Sequence, residues 1–241
     1  MAKLTQAQCI VLRRMNYRES SMIIDVFSQQ HGMVACIVSG VRKKGSKLSP
    51  VLFTPGYLLD MVYYESDPHK LWRIKEVTLA SHLQRTPYDI LRGNTALCMC
   101  EVLKKVLPVY DVNPSMFDFI ESYIYLLDEV EKPANVLLHF LIQLSVQLGF
   151  GPHHLEDNGK SYFDLKSGSF LPHSPGHPMY IDQSLTPLFY DLIRVEAENL
   201  ESVKLSRVQR QQLTDHVIDY IRFHSHAFER IKSYDVLKSL W

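Results

Sequence analysis

Four cations fall within six positions of the stretch "SGVRKKGSKLSP", Ser39 to Pro50: Arg42, Lys43, Lys44 and Lys47. Closely spaced guanidinium and ammonium groups suit a polyanion, because each can neutralise a phosphate and release the counterion condensed on it. Gly40, Gly45, Ser46, Ser49 and Pro50 break regular structure around them, so the stretch reads as a connection between elements, where binding residues concentrate. Arg13, Arg14 and Arg18 form a second cationic group upstream, at the end of the first apolar run and in the turn after it. The chain as a whole is neutral, with 26 Lys and Arg against 26 Asp and Glu in 241 residues. That balance conceals a segregation. Residues 1–85 hold twelve Lys and Arg and only six Asp and Glu, and the remainder carries the opposite excess. Such asymmetry points to different partners for the two parts, the basic one suited to nucleic acid.

Aromatic rings would add stacking platforms for bases, and Tyr17, Tyr57, Tyr63, Tyr64 and Trp72 lie in the same basic part. Tyr63 and Tyr64 are adjacent in an apolar run, so in a strand they face opposite sides and at most one belongs to a core. A second cluster, His153, His154, His173 and His177, invites a metal, but structural zinc sites usually include thiolates and this segment has no cysteine, so no metal is expected. The four cysteines, Cys9, Cys36, Cys98 and Cys100, lack CxxC spacing and read as small buried hydrophobes in a reducing compartment. No GxxxxGK[ST], HExxH or GxSxG occurs, and no catalytic constellation is visible; a non-enzymatic protein without a cofactor is expected.

The elements that must position these residues change character near residue 83. Upstream, "QCIVLRRM", "SMIIDVFS", "MVACIVSGV", "GYLLDMVYYE" and "LWRIKEVTLA" are short β-type runs separated by turn signals, and several are apolar on both alternations. Five such strands in about eighty residues suit a small closed barrel covered on one side, an OB-fold or an SH3-like barrel. Downstream the period becomes helical. Ile90, Leu91, Ala96, Leu97, Cys100, Leu103, Val106 and Leu107 share a face before Pro108, a second helix is expected from Pro114 to Val130, and a third runs from Pro133 to Leu148 with Gly149 ending it. Residues 149–186 are rich in Gly and Pro, which predicts loops with a hairpin at "SYFDLKSGSFL". Helices resume at 187–200, at 206–224 behind a Ser206 and Gln209 capping box, and at 233–241. The expected architecture is α+β in two domains, a five-stranded barrel over 1–82 and a helical bundle over 83–241 with a loop-rich insertion at about 150–186. No run approaches the eighteen apolar residues of a membrane helix and "MAKLTQAQ" lacks a secretory signal's apolar region, so a cytoplasmic protein is expected.

With "YRESSMIIDVFSQQHG", "SGVRKKGS", "LIQLSVQLGFGP" and the ending "YIRFHSHAFERIKSYDVLKSL" taken together, the chain resembles the bacterial recombination and repair family RecO over its barrel, its helical region and its terminal helices. The resemblance implies an OB-fold followed by a helical domain, binding of single- and double-stranded DNA, annealing of complementary strands, and help in loading the RecA recombinase. It implies a nucleoid-associated protein whose partners are RecR and the acidic, apolar C-terminal tail of the single-stranded-DNA-binding protein. For that tail it points to the third helix and its surroundings, where Lys104, Lys105, His139 and Leu141 are the candidates. Many members carry a four-cysteine zinc module after the motif matched here by "LGFGP". This sequence has no cysteine between Gly151 and Asp182, so its own packing must hold that segment. The competing expectations are a protein-binding scaffold with a merely solvated basic loop, and an enzyme with its site in the His-rich loops.

Overall fold

The computed structural model describes residues 3–46, 48–67, 69–153, 161–227 and 230–241. Strands β1 (Leu4–Tyr17), β2 (Ser21–Ser28), β3 (Gly32–Val38), β4 (Leu58–Tyr64) and β5 (Trp72–Leu79) close a barrel in the order β1-β2-β3-β5-β4. Helices α1 (Ile90–Val106), α2 (Pro114–Glu129), α3 (Val136–Gln147), α4 (Thr186–Arg194), α5 (Arg207–Ser225) and α6 (Lys232–Leu240) follow, with short strands β6 (Tyr162–Asp164), β7 (Ser169–Leu171) and β8 (Tyr180–Ile181) between α3 and α4. A five-stranded barrel that closes through one parallel pair, β3 with β5 at Ile37 and Arg73, fits an OB-fold.

Packing divides the chain into two compact units, Met1–Asp128 and Glu129–Trp241. The switch from strand to helix near residue 83 thus lies inside the first unit, because α1 and α2 cover one outer side of the barrel. Phe27 of β2 stacks on Phe117 of α2 with centroids 6.4 Å apart, and the thiol of Cys100 in α1 points at the carbonyl oxygen of Val11, 3.5 Å away. This explains why β2 is apolar on both faces: Met22, Ile24 and Val26 face the barrel interior and Phe27 faces a helix. Asp25, 5% exposed, lies between Arg13 Nε and Lys104 Nζ, each 2.7 Å from its Oδ2. Removing either cation leaves the buried carboxylate one partner, and removing Asp25 would strand two charges at that contact.

In the second unit α3 is buried nearly all round, as its run of apolar residues requires. The helix expected over 187–200 ends at Arg194, where the chain extends at Val195 and the Val195 carbonyl is taken up by His139. The expected hairpin is present as β6 and β7, with Gly168 at φ +68 in its turn. This cysteine-free segment is held by rings. Phe163 lies 4.8 Å from Phe189, 5.1 Å from Phe170 and 5.6 Å from Tyr220, whose hydroxyl donates to the Phe150 carbonyl. Asp164 fastens the turn by accepting from Lys166 N at Oδ1 and from Ser167 Oγ at Oδ2, with His177 Nε2 3.4 Å from Oδ1. Among the described residues no three His, Cys, Asp or Glu side chains gather as a metal would need, and no described helix is long and apolar enough to cross a membrane.

Candidate nucleic-acid interface

The basic stretch is fixed from inside the barrel. Val41, Leu48, Leu52 and Phe53 of the connection between β3 and β4 pack on the barrel core and plug one end of it. The residues between those anchors must then face solvent, and Arg42, Lys43 and Lys44 are exposed; Lys47 lies outside the described residues. Gly40 at φ +74 and Gly45 at φ +79 turn the chain where a side chain would be strained, with the Lys43 amide donating to the Gly40 carbonyl and the Ser46 amide to that of Lys43.

Two contacts pull the upstream arginines to this connection. The Arg42 amide donates to the Ser20 carbonyl at 3.1 Å and its Nη1 reaches the Arg18 carbonyl at 3.4 Å, which ties the connection to the β1–β2 turn. Arg18 adopts φ +52 there and its guanidinium lies over the Tyr17 ring, 5.2 Å from the centroid. Arg14 Nη1 donates to the Pro50 carbonyl at 2.6 Å and lies 3.4 Å from Thr54 Oγ1. Among the described residues no acid forms an ion pair with Arg14, Arg18, Arg42, Lys43 or Lys44, so carbonyls hold Arg14 and Arg42 while the charge of the group stays available to phosphate.

Strand pairing adds a feature that the sequence did not disclose. Leu4 pairs with Tyr64, Tyr64 with Arg73, Arg73 with Ile37, Ile37 with Ile23, and Ile23 with Met15, so one outward row winds across all five strands. Leu4 is 46%, Met15 43% and Tyr64 36% exposed, and Arg73 is exposed at the centre. The row reaches the β1–β2 turn two residues beyond Met15, where Arg18 and Arg42 meet. Alternation alone could have placed Tyr64 and Arg73 outward, but register between distant strands is needed to join them.

Of the five rings proposed as platforms, two are core. Tyr63 is fully buried with its hydroxyl on Ser28 Oγ at 2.9 Å and His31 Nδ1 at 3.0 Å, and burial pushes its phenol pKa up; Trp72 is fully buried and donates to the Asp67 carbonyl. Tyr17 and Tyr57 are half-buried, leaving Tyr64 as the most exposed of the five.

The residues expected to meet a partner's tail are engaged elsewhere. Lys104 is bound to Asp25, and Lys105 lies 3.8 Å from Glu101 one turn before it. His139 is 2% exposed with Nε2 3.1 Å from the Val195 carbonyl; burial holds its pKa below the usual value, against the pull of that carbonyl and Glu198. Leu141 is fully buried. A slot nevertheless exists in the second unit, a cleft of about 520 Å³ with Leu188, Val195 and Val203 in its walls and Arg194 and Lys204 at its rim. Periodicity could not reveal it, since the lining comes from α4 and from the turn after it. Of the histidines, His153 donates its amide to the Gly168 carbonyl and His177 faces Asp164, while His154 lies outside the described residues.

Family models agree with this architecture. One described as recombination protein O N terminal matches residues 1–82, and one described as recombination protein O C terminal matches residues 87–234. A DNA repair protein RecO of Porphyromonas gingivalis W83 is 30% identical over 241 residues, covering 98% of each chain. A RecO of Phocaeicola vulgatus is 30% identical over 236 residues, 96% of this chain and 97% of the relative, and one of Flavobacterium psychrophilum is 26% identical over 238 residues, 98% of each. The chain belongs to the RecO family of DNA repair proteins.

Proposed function

We propose that this protein is a non-enzymatic mediator of recombinational repair that binds single- and double-stranded DNA without regard to base order and anneals complementary strands. In the same reading it acts with RecR to load RecA onto DNA covered by single-stranded-DNA-binding protein, at the nucleoid. The observation that carries the reading is the group of cations at the plugged end of the barrel, with Arg14 and Arg42 fixed by carbonyls and no carboxylate partner among the described residues, beside an outward row containing Tyr64 and Arg73.

The mechanism requires no covalent step. Two complementary strands repel through their phosphates, and Arg18, Arg42, Lys43 and Lys44 lower that repulsion by displacing condensed counterions. Phosphate contacts carry no sequence information, so recognition is left to base pairing between the strands themselves. For single strands the row adds faces on which bases stack regardless of identity; a duplex, whose bases are already stacked, uses the cations alone. An acidic, apolar tail needs an apolar slot with a cation at its rim, and the cleft beneath Arg194 and Lys204 supplies both, with Asp191 the acid beside it.

Purified protein mixed with complementary oligonucleotides of several unrelated sequences tests this. Annealing is expected to accelerate for all of them to a similar degree and to slow steeply as salt is raised. Unaltered annealing, with no retention of either strand at low salt, would overturn the reading in favour of a scaffold that binds only protein.

A further inference from the structure

Annealing, on the reading just given, requires two strands at once, and the row from Leu4 to Met15 offers a track for one of them on that same reading. A second exposed apolar group stands at the other end of the same basic connection. Val51 is 60%, Tyr88 87% and Ile90 72% exposed. The short 3₁₀ turn Pro50–Phe53, capped by Ser49, buries Phe53 and thereby turns Val51 outward. Three residues on, Gly56 at φ +87 lies so close to α1 that an added Cβ would stand 3.2 Å from that of Ala96, which brings Tyr57 beside the first two turns of the helix.

Tyr88 is held outward by a rigid base. The Asp128 carboxylate accepts the amides of Gln84, Arg85 and Thr86, the amides of Tyr88 and Asp89 both donate to the Arg85 carbonyl, and the Asp89 side chain caps α1 by accepting from Arg92 N. Tyr57 feels both neighbours: burial raises its phenol pKa, Tyr88 raises it further and Arg14 lowers it. Arg14 in turn grips the Pro50 carbonyl. The connection therefore runs from the outward row at Arg18 and Arg42 to Arg14, and on to this second group.

We infer that Val51, Tyr57, Tyr88 and Ile90, with Arg14, form a second single-strand platform, so that one copy of the protein can hold two strands, one on each side of the basic connection. Charge selects this occupant. Arg14 borders the patch through the Pro50 carbonyl, and Asp89 is turned onto the α1 amide and the neighbouring Arg92. Two rings and two aliphatic side chains beside an arginine that meets no carboxylate among the described residues suit unstacked bases with their phosphates.

The inference rests on the proposed DNA binding, and Tyr88→Ala and Tyr88→Phe separate the two. Both side chains are exposed at this position, so neither change disturbs a core. With a labelled single strand of about eight nucleotides, within the site size of one such barrel, the native protein is expected to take up two strands per copy. Tyr88→Ala should take up one at nearly native affinity and anneal about tenfold more slowly, while Tyr88→Phe, which keeps the ring, should behave as the native protein. Native annealing by Tyr88→Ala would overturn the second platform and leave the first reading standing. So would a loss of all single-strand binding by Tyr88→Ala, since the patch would then belong to a single track, or loss of RecR binding alone, since the patch would then be a protein surface. Absence of DNA binding by the native protein would instead bring down the proposed function itself.

Discussion

The two compact units use the same kinds of side chain in opposite ways. In the basic connection of the first, Arg42 is steadied by a backbone carbonyl, none of Arg18, Arg42, Lys43 and Lys44 pairs with a carboxylate among the described residues, and Tyr64 and Tyr88 stand in solvent. In the second, cations and rings are turned to partners: Arg222 to Asp219, Arg230 to Asp235, Lys238 to Asp215, Arg194 to the Tyr190 hydroxyl, and Phe163 into a cluster of rings. A neutral chain can therefore carry a polyanion site, because what matters is which charges are already answered. The basic connection of the first unit leaves its charges open, whereas these second-unit side chains are turned to internal partners; Arg194, held by a neutral hydroxyl, keeps its charge at the cleft.

The sharpest break in the comparison should come from exchanging one ring in each unit. Phe163→Ala removes the centre of the cluster that holds the cysteine-free segment and should destabilise the second unit by about 3–5 kcal/mol, read by urea unfolding, while oligonucleotide affinity is unchanged. A loss well under 1 kcal/mol would show that something else holds the segment. Tyr64→Ala should do the reverse, weakening single-strand binding by about 1–3 kcal/mol with little change in the unfolding midpoint. If both substitutions moved stability and neither moved affinity, the outward row would have no part in binding.

Acid should expose the inward histidines of the second unit. Burial is the first cause that lowers His139 and His216 below 6.5, against the pull of Val195 and Glu198 on one and of Asp219, Asp215 and Asp182 on the other. The folded state therefore resists their protonation. Their contribution to stability is complete above the unfolded value of 6.5 and is lost as pH falls below it, so the melting temperature should drop between about pH 7 and pH 5. His31 of the first unit, also lowered first by burial and faced by Glu65 and Lys3, acts in the same direction. A melting temperature that rises on acidification would contradict these assignments.

Much of the fold was legible because it is local. Short β-type runs between turn signals located all five strands, "SYFDLKSGSFL" does fold as the β6–β7 hairpin, and Ser206 with Gln209 does form the capping box of α5. What escaped was set by distant pairing. "NYRES" reads as a turn from Asn16, yet β1 continues to Tyr17 because Asn16 and Tyr17 pair with Met22 and Ser21. Lys104 and His139 look available on a helix, but Asp25 and the Val195 carbonyl, brought from far along the chain, occupy them. The basic connection could be read from composition; Arg73 and Tyr64 could be joined to it only through register. The cleft under Arg194 and Lys204 depends on where α4 stops, which no periodicity marks.

The most direct measurement is the salt dependence of single-strand binding for the native protein, for the first-unit variant Arg42→Ala/Lys43→Ala/Lys44→Ala, and for the second-unit variant Arg222→Ala/Arg230→Ala. If the first unit's cations neutralise phosphate, the triple variant's slope of log affinity against log salt is shallower by about two, three contacts at about 0.7 each, and that of the second-unit variant is unchanged. Equal slopes for the native protein and the triple variant, or a change confined to the second-unit variant, would contradict the account.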